Sequence, residues 1–176
     1  MADNIMQEKW IKGVTITTTI LAVMTAIAAS RSAYCVAQTQ VLTAQEGSKW
    51  AYYQAKSIKE NLTESQLRVF ELNVLGAVTA QQKKYLDQNV AFYKTEIARY
   101  TQEKETVKAE AEKVGKNNAR VARQGNHFSL SVVFFQIAIM LTSVSILLKR
   151  KEMWFGGLVF GIIAAVLLAN GVFLFF

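Results

Sequence analysis

Three long apolar segments, separated by one charged stretch, restrict this chain more than any other feature of its sequence. Residues 13–29, 128–148 and 153–176 contain no Asp, Glu, Lys or Arg. A helix needs about 20 apolar residues to cross a bilayer, and the first segment reaches that length only when its apolar neighbours are counted. The pattern therefore predicts three transmembrane helices, at residues 13–33, 127–148 and 153–176.

The charged residues concentrate between positions 46 and 123, and the chain contains no proline that would interrupt a helix. Apolar positions here follow alternating steps of four and three residues, the spacing of a coiled-coil seam. One predicted seam consists of Leu86, Val90, Tyr93, Ile97, Tyr100, Lys104, Val107, Ala111, Val114, Asn118, Val121, Gly125 and Phe128. A weaker one consists of Tyr34, Ala37, Val41, Ala44, Ser48, Ala51, Ala55, Ile58, Leu62, Ser65, Val69 and Leu72.

The two seams predict a long extramembrane hairpin over residues 34–126, with one seam facing the other. Gly76 suits a helix C-cap and Thr79 suits the next N-cap, so the reversal is expected near residues 76–80. The predicted fold class is all-α, with three transmembrane helices and an antiparallel, coiled-coil-like helical hairpin between the first and the second.

Apolar side chains outside both seams predict that copies of the chain pack side by side, because exposed aromatic surface usually marks an interface. In the third apolar segment, small residues recur every four positions and would let another helix approach closely. A Gln amide in the second segment would need a partner across an interface. The predicted oligomer interface consists of Trp50, Tyr53, Phe70, Val74, Gln136, Gly157, Gly161 and Ala165.

A small, mildly polar stripe in the first apolar segment has two interpretations. It consists of Thr15, Thr18, Ala22 and Thr25. The hydroxyls of such a stripe can bond to carbonyls of their own helix while the helix packs against a neighbour. In a ring of subunits the same stripe could instead line a water-filled axis, as in a pore or channel subunit.

The sequence carries no catalytic or cofactor signature. It has no Gly-rich phosphate loop, no paired metal-binding motif and no Ser, His and acid arrangement at a glycine elbow. A single cysteine, Cys35, and a single histidine, His127, do not predict a metal site. Acidic residues such as Glu103 and Glu110 lie among lysines and are interpreted as intrahelical charge pairs. We therefore expect a non-enzymatic protein without cofactor or metal.

Nucleic acid is not an expected partner, although the net charge is +7. Between residues 34 and 127, ten acidic residues interleave with fourteen basic ones, so no basic stripe forms. The expected partners are membrane lipids and further copies of the chain, which would form a structural or scaffolding homo-oligomer. A third hypothesis makes the hairpin a docking arm for a different protein.

Basic residues near the apolar segments predict the orientation in the membrane. Lys149, Arg150 and Lys151 fill the short loop at residues 149–152 and are positioned to meet anionic lipid headgroups. The N-terminal lead, residues 1–12, also carries lysines and lies on the same side as this loop. The positive-inside rule places both in the cytoplasm and the hairpin outside.

A ten-residue run supports this architecture independently. Residues 50–59 read Trp-Ala-Tyr-Tyr-Gln-Ala-Lys-Ser-Ile-Lys, after one predicted membrane helix and before two others. In that arrangement the run resembles the bacterial domain-of-unknown-function family DUF4337. The resemblance implies a small bacterial protein of the inner membrane, with several membrane passes and no assigned activity. The aromatic residues and lysines of the run fit a packing face between helices and, as an alternative, a site for a planar or anionic ligand.

Overall fold

The computed structural model describes residues 2–76 and 79–173, with side chains from residue 10 onward, and it confirms an all-α fold. Helix α1 spans Ala2–Leu75, α2 spans Ala80–Leu148 and α3 spans Lys151–Phe173. Within these described ranges there is no strand. By length and composition, each of the three helices contains a segment apolar enough to cross a membrane.

The end of α1 and the start of α2 follow from local hydrogen bonding. The Gly76 amide donates to the Asn73 carbonyl at 3.2 Å. Thr79 caps α2: its hydroxyl accepts from the Gln82 amide at 3.2 Å, and the Gln82 side chain accepts from the Thr79 amide at 3.2 Å. This reciprocal pair is a capping box, so the N-cap expected at Thr79 is confirmed. Residues 77 and 78 of the predicted reversal lie outside the described residues.

A tight turn joins α2 to α3. The Arg150 amide donates to the Ser145 carbonyl at 3.1 Å, and the Lys149 amide donates to the Ile146 carbonyl at 3.3 Å. These two bonds define a Schellman motif, in which the residue after the helix adopts a left-handed conformation. Lys149 occupies that position with φ of 51°. The turn is short enough to keep α2 and α3 adjacent and antiparallel.

The fold divides into two compact units. The first unit contains the chain up to Gln40 and from Asn118 onward, and the second contains Val41–Asn117. In the first unit, α1, α2 and α3 pack around a buried apolar cluster formed by Leu21, Ala28, Phe135, Ala138 and Ala164. In the second unit, α1 and α2 run antiparallel to one another, as the ion pairs described below establish.

Candidate interaction surfaces of the helices

The best-buried charged group of the second unit is Glu60 on α1, which is only 7% exposed. Its carboxylate accepts hydrogen bonds from the Lys104 ammonium and, at 2.6 Å, from the Thr101 hydroxyl, both on α2. These donors hold the pKa of Glu60 below its ordinary value, and the carboxylate raises the pKa of Lys104. Because both charges are paired, the site tolerates burial that a lone carboxylate would not.

Further ion pairs connect the same two helices. Lys56 pairs with Glu103, which raises the pKa of the lysine and lowers that of the glutamate. The Lys56 ammonium also lies 5.2 Å from the centroid of the Tyr52 ring and 5.3 Å from that of Tyr100. Lys49–Glu110 at 2.5 Å and Glu71–Lys94 at 3.1 Å complete the series. From Lys49 through Lys56 to Glu71 on α1, the partners on α2 run backward from Glu110 through Glu103 to Lys94, which is the direction of an antiparallel pair.

These pairs correct one expectation from the sequence. Glu103 and Glu110 were predicted to form intrahelical charge pairs; this is wrong for Glu110, whose partner is Lys49 on α1, and incomplete for Glu103, which also pairs with Lys56 on α1. Glu103 also lies 3.7 Å from Arg99 on its own helix, which is the intrahelical contact expected of it. The register between α1 and α2 is therefore fixed by charges that the sequence pattern assigned to solvent.

The seam predicted for α2 is confirmed. Every one of its residues from Leu86 to Phe128 is buried or half-buried. Lys104, a polar member of that seam, makes the buried pair with Glu60 described above. The 4-3 spacing of apolar residues therefore identified the packed face of α2 correctly, including the position where a charge interrupts it.

The seam predicted for α1 is wrong, because all twelve of its residues are exposed. The packed face of α1 in the second unit, here called the inner seam, begins one residue after Val41 and lies on nearly the opposite side of the helix. It consists of Leu42, Glu46, Lys49, Tyr53, Lys56, Glu60, Thr63, Leu67, Phe70 and Val74, all buried or half-buried. The inner seam also has 4-3 spacing, but charged and hydroxyl residues interrupt its apolar periodicity.

The aromatic residues predicted as an oligomer interface lie mostly on the inner seam. Tyr53, Phe70 and Val74 belong to it, and the Phe70 ring packs 5.2 Å from the Tyr93 ring of α2. Trp50 is half-buried beside Tyr53, with ring centroids 5.6 Å apart in an edge-on arrangement. Each of these four residues is thus partly covered within the subunit, and their role in an oligomer interface stays a prediction.

The residues predicted to pack inside the hairpin form instead a continuous exposed stripe on α1. Within the second unit this stripe, here called the outer seam, consists of Val41, Ala44, Ser48, Ala51, Ala55, Ile58, Leu62, Ser65, Val69 and Leu72. Its large members are 52–68% exposed. An apolar stripe of this length on a charged segment is the strongest candidate interaction surface of the chain.

In the first unit, the small-residue ridge of α3 is occupied by helices of the same chain. A Cβ placed on Gly157 would lie 2.7 Å from Thr142 Cγ2 and 3.0 Å from the Ala138 carbonyl oxygen on α2. One placed on Gly161 would lie 2.9 Å from Leu21 Cδ2 on α1. The close approach that the ridge predicts therefore takes place inside the subunit at these two glycines. Ala165, the next residue of the ridge, is exposed.

Polar groups of the first unit bond between its helices. The Asn170 amide lies 3.3 Å from His127 Nε2, and no sequence pattern had paired these two residues. The Ser131 hydroxyl, fully buried, donates to the Ala164 carbonyl at 3.0 Å. Gln136, by contrast, is exposed on α2, where an apolar segment surrounds it. An amide in that position leaves hydrogen-bonding capacity at the subunit surface.

The threonines of the stripe in α1 bond back to their own helix. Thr15, Thr18 and Thr25 each donate to the carbonyl four residues earlier, at 2.7–3.0 Å. Thr18 also lies 3.2 Å from the Thr142 hydroxyl of α2 and is half-buried, whereas Thr15 and Ala22 are exposed. An open groove lies beside the stripe, lined by Thr15, Thr18, Thr19, Ser143, Ile146 and Leu147.

The described residues form no metal cluster, and the basic residues predicted to contact lipid headgroups are exposed. Among the described residues, no group of three or more His, Cys, Asp or Glu side chains is arranged to hold a metal ion. Lys149, Arg150 and Lys151 are all exposed at the turn between α2 and α3. Their side chains are free to meet a charged surface, as the proposed headgroup contact requires.

Comparison with known proteins assigns the chain to a family. Residues 10–174 match the model of the domain of unknown function DUF4337, so the chain belongs to that family, as the run at residues 50–59 suggested. No curated protein and no solved structure matches the chain. The match therefore establishes membership over nearly the whole chain, in a family to which no function is attached.

Proposed function

We propose that this DUF4337 protein is a non-enzymatic, multi-pass protein of the bacterial inner membrane that assembles with further copies into a structural or scaffolding homo-oligomer. The observation that carries the proposal is exposed apolar surface in the second unit, where the chain is rich in charge. Ile58 is 67% exposed, Leu62 60% and Leu72 68%. Residues of this kind in a segment too charged for lipid need a protein surface to cover them.

The three apolar segments supply the membrane part of the proposal. Large side chains on them, such as Ile16, Met140 and Ile162, are 61–65% exposed, which suits contact with lipid. Gln136 is exposed among them, and an amide in lipid gains about 1 kcal/mol from a hydrogen bond to a neighbouring helix. Assembly would provide that neighbour. The exposed Ala165 on α3 offers a position for close approach on the same unit.

Orientation follows from the basic turn. We place the N-terminus and residues 149–151 in the cytoplasm and the second unit outside, because short loops rich in Lys and Arg stay on the cytoplasmic side. The test is labelling by a membrane-impermeant maleimide in a Cys35→Ala background. Tyr85→Cys should be labelled in intact spheroplasts, and Arg150→Cys only after the membrane is opened. The reverse pattern would contradict the orientation.

The assembly is tested by native mass spectrometry of the detergent-solubilised protein. A single defined oligomer, retained on dilution, is the expected result. A monomer at all concentrations would refute the proposal. A stoichiometric complex with a different protein would refute it as well and would favour the docking-arm hypothesis.

A pore subunit is the second candidate, because hydroxyl groups of Thr15, Thr18, Thr19 and Ser143 line one open groove. In an oligomer that turned this groove toward its axis, the hydroxyls would provide a neutral polar lining. Conductance of the purified protein in planar bilayers tests this candidate. Thr15→Val should change the conductance if the groove faces water. No conductance under any condition would leave the scaffolding proposal alone.

A further inference from the structure

We infer that the outer seam of α1 pairs with the outer seam of a second copy, in parallel and in register, as a two-stranded coiled coil. This inference rests on the proposed homo-oligomer and specifies its contact surface. The outer seam runs from Val41 to Leu72 and lies wholly within the second unit, so only residues of that unit contact the helix that covers it.

The outer seam has the periodicity of a coiled coil. Val41, Ser48, Ala55, Leu62 and Val69 repeat every seven residues, and a second set begins three residues after each of them. These are the a and d positions of a heptad repeat sustained over more than four heptads. The second set consists of Ala44, Ala51, Ile58, Ser65 and Leu72. A seam of this length in a single helix is the pattern of a helix that supercoils around another helix.

Helix α2 of the same subunit cannot be the helix that packs on the outer seam. At 3.6 residues per turn, the outer seam and the inner seam point in directions roughly 150° apart around α1. The inner seam is occupied by α2 through the pairs of Glu60, Lys56 and Lys49. The outer seam faces away from those contacts and remains exposed along its whole length. Helix α1 thus has two seams on nearly opposite faces, and the subunit fills only one.

The charges of the residues that flank the outer seam favour a second copy of the chain as its partner. In a parallel coil, residues flanking the seam meet residues five positions later on the partner. If the partner is a second copy, the facing residue pairs are Gln40 with Gln45, Gly47 with Tyr52, Gln54 with Lys59, Asn61 with Gln66, and Arg68 with Asn73. None of them places like charges together. Different chains that pair in a coiled coil usually select each other through opposite charges at these flanking positions. Most of the flanking residues here are neutral, which favours pairing between identical chains.

The parallel direction follows from the proposed topology. Two copies anchored in one membrane with the same orientation extend their α1 helices in the same direction. Small residues dominate the first half of the seam, from Val41 to Ala55, and allow the helices to approach closely. Large residues from Ile58 to Leu72 supply most of the apolar area. The contact is therefore closest in the half of the seam nearer to the first unit in sequence.

Disulfide formation between copies tests the inference. In the full-length Cys35→Ala protein, Ala44→Cys and Leu62→Cys are made separately and oxidised in membranes. A parallel, in-register coil brings each residue opposite itself, so both variants should form symmetric dimers. Tyr85→Cys is the matched control, because Tyr85 is 62% exposed and Leu62 60%, but Tyr85 lies on α2 away from the seam. It should not crosslink.

A second variant pair tests the seam without oxidation. Leu62→Glu should cause loss of the oligomer while the subunit keeps its fold, because Leu62 contacts solvent within the subunit. Tyr85→Glu should leave the oligomer unchanged. Thermal unfolding of both variants, compared with the parent, establishes that neither has lost its fold.

The outcomes separate the inference from the proposed function. A defined oligomer without symmetric crosslinks at positions 44 and 62 would overturn the coiled coil and leave the homo-oligomer standing. Crosslinking of Ala44→Cys only with Val69→Cys would show an antiparallel pair, in which a positions face d positions of the partner, and would also overturn it. A monomer throughout would refute both. Symmetric crosslinks at both positions, absent from Tyr85→Cys and abolished by Leu62→Glu, would establish the parallel coil.

Discussion

The same heptad face of α1 is apolar throughout the first unit and carries polar residues in the middle of the second. In the first unit the residues at seven-residue intervals are Val14, Leu21, Ala28 and Cys35, all buried. In the second unit the same interval begins at Leu42 and ends at Phe70, and the three residues between them are Lys49, Lys56 and Thr63. One geometric repeat therefore supports two chemistries of helix packing.

This difference in the packing of α1 is explained by what stabilises helix contacts in lipid and in water. The helices of the first unit approach closely at small residues such as Gly157 and Gly161. In the proposed lipid surroundings such contact would hold them together, because burying apolar side chains gains little there. Helices surrounded by water gain from apolar burial on any face, and several registers would do so. Paired charges such as Glu60 with Lys104 select one register, because a shift would leave a buried carboxylate unpaired.

The largest predicted effect breaks the close packing of the first unit. Gly157→Leu should destabilise the protein by about 3 kcal/mol, because its side chain would overlap Thr142 and the Ala138 carbonyl on α2. Thermal unfolding followed by circular dichroism in detergent measures the change. The matched control is Gly156→Leu, since nothing lies closer than 4.0 Å to a Cβ at Gly156. Equal melting temperatures for the two variants would contradict the packing described for α3.

The next effect concerns the buried charge of the second unit. Glu60→Gln should cost about 2 kcal/mol, because the Lys104 ammonium then lacks its carboxylate in a mostly buried position. Glu105→Gln removes the same charge from an exposed position of α2 and should change stability little. If both substitutions shifted the melting temperature equally, the effect would come from net charge and not from the pair.

Acid should weaken the second unit through the same group. The pKa of Glu60 is lower in the folded protein than its ordinary value of about 4.3. Its contribution is therefore fully present above that ordinary value and is lost as the pH falls through the folded-state pKa. Melting temperatures measured from pH 6 down to pH 3 should fall in the parent protein and fall less in Glu60→Gln. Parallel curves for the two proteins would show that other carboxylates cause the acid sensitivity.

The smallest effect sharpens the contrast between buried and exposed pairs. Lys94 and Glu71 lie 3.1 Å apart, but their side chains are 59% and 45% exposed. Lys94→Gln should therefore change stability by less than about 1 kcal/mol, and salt should reduce even that. A double-mutant cycle of Lys94→Gln with Glu71→Gln measures the coupling energy. A coupling as large as the loss in Glu60→Gln would mean that exposure does not distinguish the two pairs.

Some elements could be predicted because their determinants are local. Three charge-free segments in a proline-free chain predict long apolar helices, and Thr79, which suits an N-cap, predicts the start of α2. The packed face of α2 was also predictable, since Val107, Ala111 and Phe128 bury apolar atoms at 4-3 spacing. In each case the signal lies in residues whose preference does not depend on a distant partner.

The sequence by itself determined that this chain forms three long helices, and which face of α2 is buried. Only the tertiary structure decided which face of α1 meets α2, because two faces of α1 repeat with the same spacing and the more apolar one is left exposed. The polar face is buried because Glu60 and Lys56 find opposite charges on α2, and a paired charge can be buried where a lone one cannot. Whether such a partner lies within reach is a property of two helices together, and no single segment of sequence contains it.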